Sequence, residues 1–181
     1  MAKKVLIIST SIRPNSNSEI LANAFADGAR TSGNEVELIS LKNKTIVFCK
    51  GCFACQKLGH CVIKDDANAI TEKMLNADVI VWATPIYYYE MSGQMKTLLD
   101  RLNPLYPSDY KFRKVYMLST AAEDEEYVPE KAVSGLQGWV DCFEKAELAA
   151  SLFCGGISDP GQAAEKGDEL SEAYQFGKAL Q

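Results

Sequence analysis

The sequence predicts an open, doubly wound α/β domain built on a five-stranded parallel sheet. Three observations carry that expectation. Short apolar runs alternate with stretches of helical apolar spacing along the chain. Most of those runs lack the polar–apolar alternation of a half-exposed strand, so they suit strands covered on both faces. The length, 181 residues, suits one domain with a substantial core, and residues 1–181 read as that single domain.

The first strand is "KVLIIS" at 4–9, followed by helical spacing over 18–32. "NEVELIS" at 34–40 alternates Val36 and Leu38 with Glu35 and Glu37, the pattern of an edge strand. A helix is expected at 66–76, a strand at 78–84 ("DVIVWAT") and a helix at 92–102. The fourth strand is "KVYMLS" at 114–119, then a helix at 129–146, the strand "LAASLFC" at 148–154 and a last helix at 168–180. An edge strand in second position fits the order 2-1-3-4-5, which puts a ligand crevice at the carboxyl ends of strands one and three.

Composition narrows the function. A net charge of −5 with no basic run argues against a nucleic-acid partner. The apolar run Val5–Ile8 is too short for a signal peptide or a membrane span, so no membrane partner is expected. The expected location is the cytoplasm, a reducing compartment where clustered cysteines serve as ligands or redox groups rather than disulfides.

The loop after the first strand, "STSIRPNSNSEIL" at 9–21, has no glycine and no glycine-lysine-hydroxyl ending, so neither a dinucleotide nor a nucleoside triphosphate loop is present. It offers instead Ser9, Thr10, Ser11, Arg13, Ser16, Asn17 and Ser18 just before a helix. Hydroxyls, an amide, a guanidinium and the positive helix end together suit a terminal monophosphate dianion. Ser16 and Glu19 also form a capping-box pattern, and a purely structural turn is the competing reading.

Two further loops reach the same edge of the sheet. Pro85, Ile86, Tyr87, Tyr88 and Tyr89 follow the third strand, where a stiff aromatic loop could wall a flat redox ring. Alternation points at least one tyrosine inward, although packing under a helix or against a subunit is open to them. After the fourth strand, Ser119, Thr120, Ala121 and Ala122 leave room for a ring, and Glu123–Glu126 reads as a solvated acidic run. Gly155 and Gly156 permit a tight turn after the last strand.

The remaining feature is "CKGCFACQKLGHC" at 49–61, which holds four of the six cysteines. Cys49, Cys52, Cys55 and Cys61 are too closely spaced for the two separated knuckles of a zinc ribbon, and are arranged more as a loop wrapped around an iron–sulfur cage. A zinc site and plain or redox-active thiols remain open. Lying after strand two, the loop is expected near a crevice at strands one and three, since two strand spacings are only about 10 Å. His60 reads as a surface residue, and Cys142 and Cys154 as core.

Residues 11–18, Ser-Ile-Arg-Pro-Asn-Ser-Asn-Ser, resemble the phosphate loop of the flavodoxin-like NAD(P)H-dependent FMN reductases, and "TPIYYYEMSGQMKTLLDR" at 84–101 resembles their Pro-x-Tyr loop and following helix. The cysteine spacing resembles that of the iron-sulfur flavoproteins, a branch of the same group. The resemblance implies FMN held at its phosphate by Ser11, Arg13, Ser16, Asn17 and Ser18, with Pro85–Tyr89, Thr120 and Ala121 against the ring. It implies NAD(P)H as co-substrate, a quinone, flavin or redox protein as electron acceptor, and a homodimer or homotetramer. It also implies Cys49, Cys52, Cys55 and Cys61 as ligands of a 4Fe-4S cluster, with a ferredoxin-like partner in that alternative.

Overall fold

The computed structural model describes residues 2–180. Five parallel strands form the sheet: β1 (Lys4–Ser9), β2 (Glu35–Ser40), β3 (Val79–Tyr87), β5 (Lys114–Thr120) and β6 (Glu147–Cys154), in the spatial order β2-β1-β3-β5-β6. The sixth strand, β4 (Glu90–Met91), is a two-residue antiparallel return on the end of β3. Without it the order is the expected 2-1-3-4-5, with β2 on the edge. Strand three is longer than its apolar run because the proline–tyrosine loop continues as half of a hairpin.

Helix α1 (Asn17–Thr31) and helix α6 (Gly167–Lys178) cover one face. Helices α3 (Asp66–Asn76), α4 (Gly93–Arg101) and α5 (Glu130–Val140) cover the other, with a short α2 (Ala54–Leu58) in the cysteine loop. Alternation along β1 divides the core: Val5 and Ile7 join Leu21, Phe25 and Leu152 beneath α1, whereas Leu6 and Ile8 join Met74, Trp82, Leu98 and Leu136 on the opposite face. Helices α1 and α6 touch through glycines. A Cβ on Gly28 would sit 2.0 Å from the Tyr174 carbonyl oxygen, and one on Gly177 would sit 2.0 Å from that of Phe25.

Helix α5 stops at Val140, short of the expected 146. Tight turns follow, with Phe143 N–H donating to Val140 O at 2.8 Å and Ala146 N–H to Phe143 O at 2.9 Å. They bury Phe143 without further helix, which is why its apolar spacing looked helical. The same turn exposes Cys142, correcting its assignment to the core; Cys154 on β6 is buried as expected. Among the described residues no helix is long and apolar enough to cross a membrane.

Candidate functional site

Parallel register brings four strand ends to one edge: Ser9 lies beside Ala83, Pro85 beside Thr120, and Thr120 beside Cys154. The loops leaving these ends enclose a crevice of about 440 Å³. Its walls contain eleven of the twelve residues expected to hold a cofactor: Ser11, Arg13, Ser16, Asn17, Pro85, Ile86, Tyr87, Tyr88, Tyr89, Thr120 and Ala121. Ser18 is the exception. It lies fully buried behind Ser16, with the two hydroxyl oxygens 3.0 Å apart.

At the polar end, Ser16 caps α1, its hydroxyl accepting from Glu19 N–H at 3.4 Å. Only half of the capping box forms, because the Glu19 carboxylate instead accepts from Ser9 and Ser40 hydroxyls at 3.0 and 3.1 Å. The first turn of an α-helix leaves backbone N–H groups without intrahelical partners, and here they open at the crevice beside the hydroxyls. Asn17 straps the turn to the segment after β6, donating to Asp159 O at 2.9 Å and accepting from Ala163 N–H at 3.1 Å. Arg13 extends over the same segment and donates to Ser158 O at 2.6 Å.

At the aromatic end, Tyr88 and Tyr89 form the two-residue turn of the β3–β4 hairpin, both at positive φ (52° and 65°). All three tyrosines are exposed at the crevice mouth, so strand alternation does not bury one. Tyr89 stacks on Tyr127 with ring centroids 6.2 Å apart. Behind the hairpin, Thr84 N-terminal to Pro85, Ser92 and Thr10 form a buried hydroxyl cluster. Thr10 and Ser92 Oγ atoms lie 3.0 Å apart, Ser92 N–H donates to Thr84 Oγ1 at 3.1 Å, and Ser92 caps α4. Sequence reading missed this cluster and also missed Ile157 and Ser158 in the crevice wall. The polar residue following the last strand at the same sheet edge was the signal for Ser158.

The cysteine loop builds a second cavity, of about 430 Å³, bordered by Cys49, Cys52, Cys55 and Cys61 and also by Cys142. It shares no lining residue with the crevice. The loop borders the far end of α4: Ser92, at the start of that helix, stands near the crevice, while Leu99–Asn103 border the cysteines. Cys49 and Cys52 are exposed, Cys61 is half-buried and Cys55 is buried. His60 is exposed, its Nδ1 3.0 Å from Leu58 O.

Backbone and side-chain donors address two of the sulfurs: Gly51 N–H donates to Cys49 Sγ at 3.4 Å and Asn103 Nδ2 to Cys55 Sγ at 3.2 Å. Arg101 clamps the loop from beneath. It donates to Val47 O at 2.6 Å, to Ile63 O at 3.3 Å and to both carboxylate oxygens of Asp65 at 2.6 and 2.9 Å. Burial works against an ionised Asp65, but the Arg101 hydrogen bond and the Val47 N–H outweigh it and hold the carboxyl below its usual value. Burial pushes the Cys154 thiol up to about 11. Among the described residues, no three His, Cys, Asp or Glu side chains converge as ligands of a single metal ion.

Sheet order, helices on both faces and a crevice at the strand ends define a flavodoxin-like protein. Residues 3–128 match the model of the NADPH-dependent FMN reductases. The chain is 40% identical over 102 residues to an iron-sulfur flavoprotein of Methanocaldococcus jannaschii, a match covering 56% of this chain and 53% of that protein. It is 30% identical over 156 residues to an iron-sulfur flavoprotein of Methanosarcina thermophila, covering 86% and 82%. The chain thus spans about half the length of the first relative and most of the second. Among solved structures, an NAD(P)H:quinone oxidoreductase from Methanothermobacter marburgensis superposes with a TM-score of 0.80 at 19% identity, covering 100% of this chain and 97% of that one. An azoreductase from Bacillus anthracis gives 0.75 at 17%, covering 99% and 100%. The chain belongs to the NADPH-dependent FMN reductase family, in the group that includes the iron-sulfur flavoproteins.

Proposed function

We propose that the chain binds FMN in the crevice and uses it to pass electrons from NAD(P)H to a quinone, a flavin or a redox protein. The observation that carries this reading is the crevice itself, polar at a helix start and aromatic at a hairpin, with both ends built on rigid strand termini. The residues fit the cofactor in donor type. Ser11 and Ser16 hydroxyls, the open N–H groups of α1 and the Arg13 guanidinium would hold the phosphate, with Asn17 and Ser18 bracing the turn.

Pro85–Tyr89 would wall the ring on one side, while Thr120 and Ala121 leave space on the other. When bound, FMN supplies the hydride and electron chemistry. The side chains bind, orient and limit water. The exposed tyrosines at the mouth, Tyr88 at 98%, suit a second copy of the chain closing over the crevice in a dimer or tetramer.

Titration of flavin fluorescence tests this. Arg13→Ala should weaken FMN binding by roughly tenfold to a hundredfold, the worth of a charge-assisted hydrogen bond, and leave riboflavin, which has no phosphate, unchanged. Anaerobic NADPH should bleach the bound flavin rapidly. No uptake of FMN by the unaltered protein would sink the reading.

A second reading concerns the other cavity, where Cys49, Cys52, Cys55 and Cys61 would ligate a 4Fe-4S cluster and exchange electrons with a ferredoxin-like partner. Two observations favour it: the four cysteines line one cavity, and N–H groups already address two of the sulfurs. Anaerobic reconstitution with iron and sulfide, followed by assay of both, tests it.

A further inference from the structure

The cysteine cavity is finished by residues that are not cysteines. Where α4 ends, the chain enters a 3-10 turn at Asn103–Leu105, against which the short helix α2 carrying Cys55 is placed. Asn103 is half-exposed, yet its amide points a donor at the buried Cys55 sulfur, 3.2 Å away. A thiol sulfur is a weak acceptor, so in the thiol form this contact contributes little. A metal-bound thiolate is anionic, and the same N–H then becomes a charge-assisted bond.

Arg101, two residues earlier at the end of α4, adds a second observation. A guanidinium carries five N–H groups. Four of them are taken by Val47 O, Ile63 O and the two Asp65 oxygens. The fifth, at Nε, is buried without a partner among the described residues, in a side chain that borders the cysteine cavity. A buried donor left without an acceptor is costly, and such a group calls for an explanation, of which a water or a ligand in the cavity it borders is one.

We propose that Asn103, backed by Arg101, is a positioning residue that raises the reduction potential of an iron–sulfur cluster in the cysteine cavity by donating to the Cys55 sulfur. This rests on the cluster reading above. Reduction adds one electron to the cluster and places part of the new negative charge on the sulfurs. A donor already aimed at one of them stabilises the reduced form more than the oxidised form. Arg101 holds the incoming limb at Val47 and the outgoing limb at Ile63 and Asp65, so that Cys55 and Cys61 stay at the cavity.

The test is a dithionite titration of the reconstituted protein, read by electron paramagnetic resonance, for the unaltered chain, Asn103→Leu and Asn103→Asp. Asn103→Leu should lower the one-electron equilibrium constant by about tenfold, a potential about 59 mV more negative, at unchanged iron and sulfide content. Asn103→Asp, the same shape with an acceptor in place of the donor, should lower it further. If a variant loads less cluster, the potential is still read on the loaded fraction. An unchanged potential in both variants overturns the inference while leaving the cluster reading intact. Failure of the unaltered protein to take up iron and sulfide overturns both.

Discussion

Asp65 and Arg101 meet in a two-pronged ion pair at 2.6 and 2.9 Å, with side chains 3% and 0% exposed. Asp65 does three things at once: it caps α3 at Ala67 N–H, accepts from Val47 N–H and neutralises the arginine. The pair fastens the cysteine loop to two helices, so it links a structural element to the proposed metal site.

Removing one partner of a buried pair leaves an uncompensated charge and costs about 3–5 kcal/mol. Asp65→Asn keeps a capping side chain and isolates that charge. Urea unfolding should show a loss of at least about 3 kcal/mol at pH 7. The pH dependence follows from the lowered pKa of Asp65. Its contribution is fully present above the ordinary value of 3.8 and is lost as pH falls through the lower folded value. The stability difference between Asp65→Asn and the unaltered protein should therefore shrink in that acid range.

The α1–α6 contact yields a second expectation. Gly28→Ala gains about 1 kcal/mol of helix propensity, but its Cβ would strike a backbone carbonyl, and overpacking typically costs about 1–3 kcal/mol or more. Backbone cannot swing aside as a side chain can, so the net should be a loss of about 2 kcal/mol. Gly138→Ala in α5, where a Cβ would meet nothing within 4 Å, should instead gain up to about 1 kcal/mol. Paired urea titrations check both signs.

Much of the frame was legible because it is periodic. Helix α3 begins and ends where apolar spacing put it, at 66 and 76, and β1 at 4 and 9. The polar turn that opens α1 was legible because its hydroxyls and amide lie close together in sequence. What escaped depends on residues distant in sequence meeting in space: Arg101 with Asp65, Thr10 with Ser92, Ser158 with Arg13. That the cysteines share a cavity with the end of α4 escaped for the same reason. Residues 41–53 have no periodicity to show that they border the end of α4, and Cys142 reaches their cavity only because α5 ends early.

Thiol chemistry separates the six cysteines. Cys154 is fully buried with its thiol pushed up to about 11, so at pH 8 it is neutral and inaccessible. Cys49, Cys52 and Cys142 are exposed. Brief iodoacetamide treatment of the native protein at pH 8, followed by peptide mass analysis, should modify those three and spare Cys154. Prior loading with iron and sulfide should protect Cys49 and Cys52 and leave Cys142 reactive, since only the first two belong to the proposed ligand set.

The hairpin at the crevice mouth holds a conformation that tyrosine disfavours. A two-residue hairpin turn with both residues at positive φ is normally built from asparagine and glycine, because a bulky L side chain there costs about 1–2 kcal/mol. Tyr88 has φ 52° and is 98% exposed, so no contact within the chain offsets the strain. Tyr88→Asn should therefore raise stability by about 1 kcal/mol in urea unfolding. Strain of this kind persists where it serves a site. If the ring covers bound FMN or meets a second copy of the chain, the same variant should weaken FMN binding or shift the sedimentation profile toward monomer. A stabilised variant with unaltered binding and assembly would remove Tyr88 from the site.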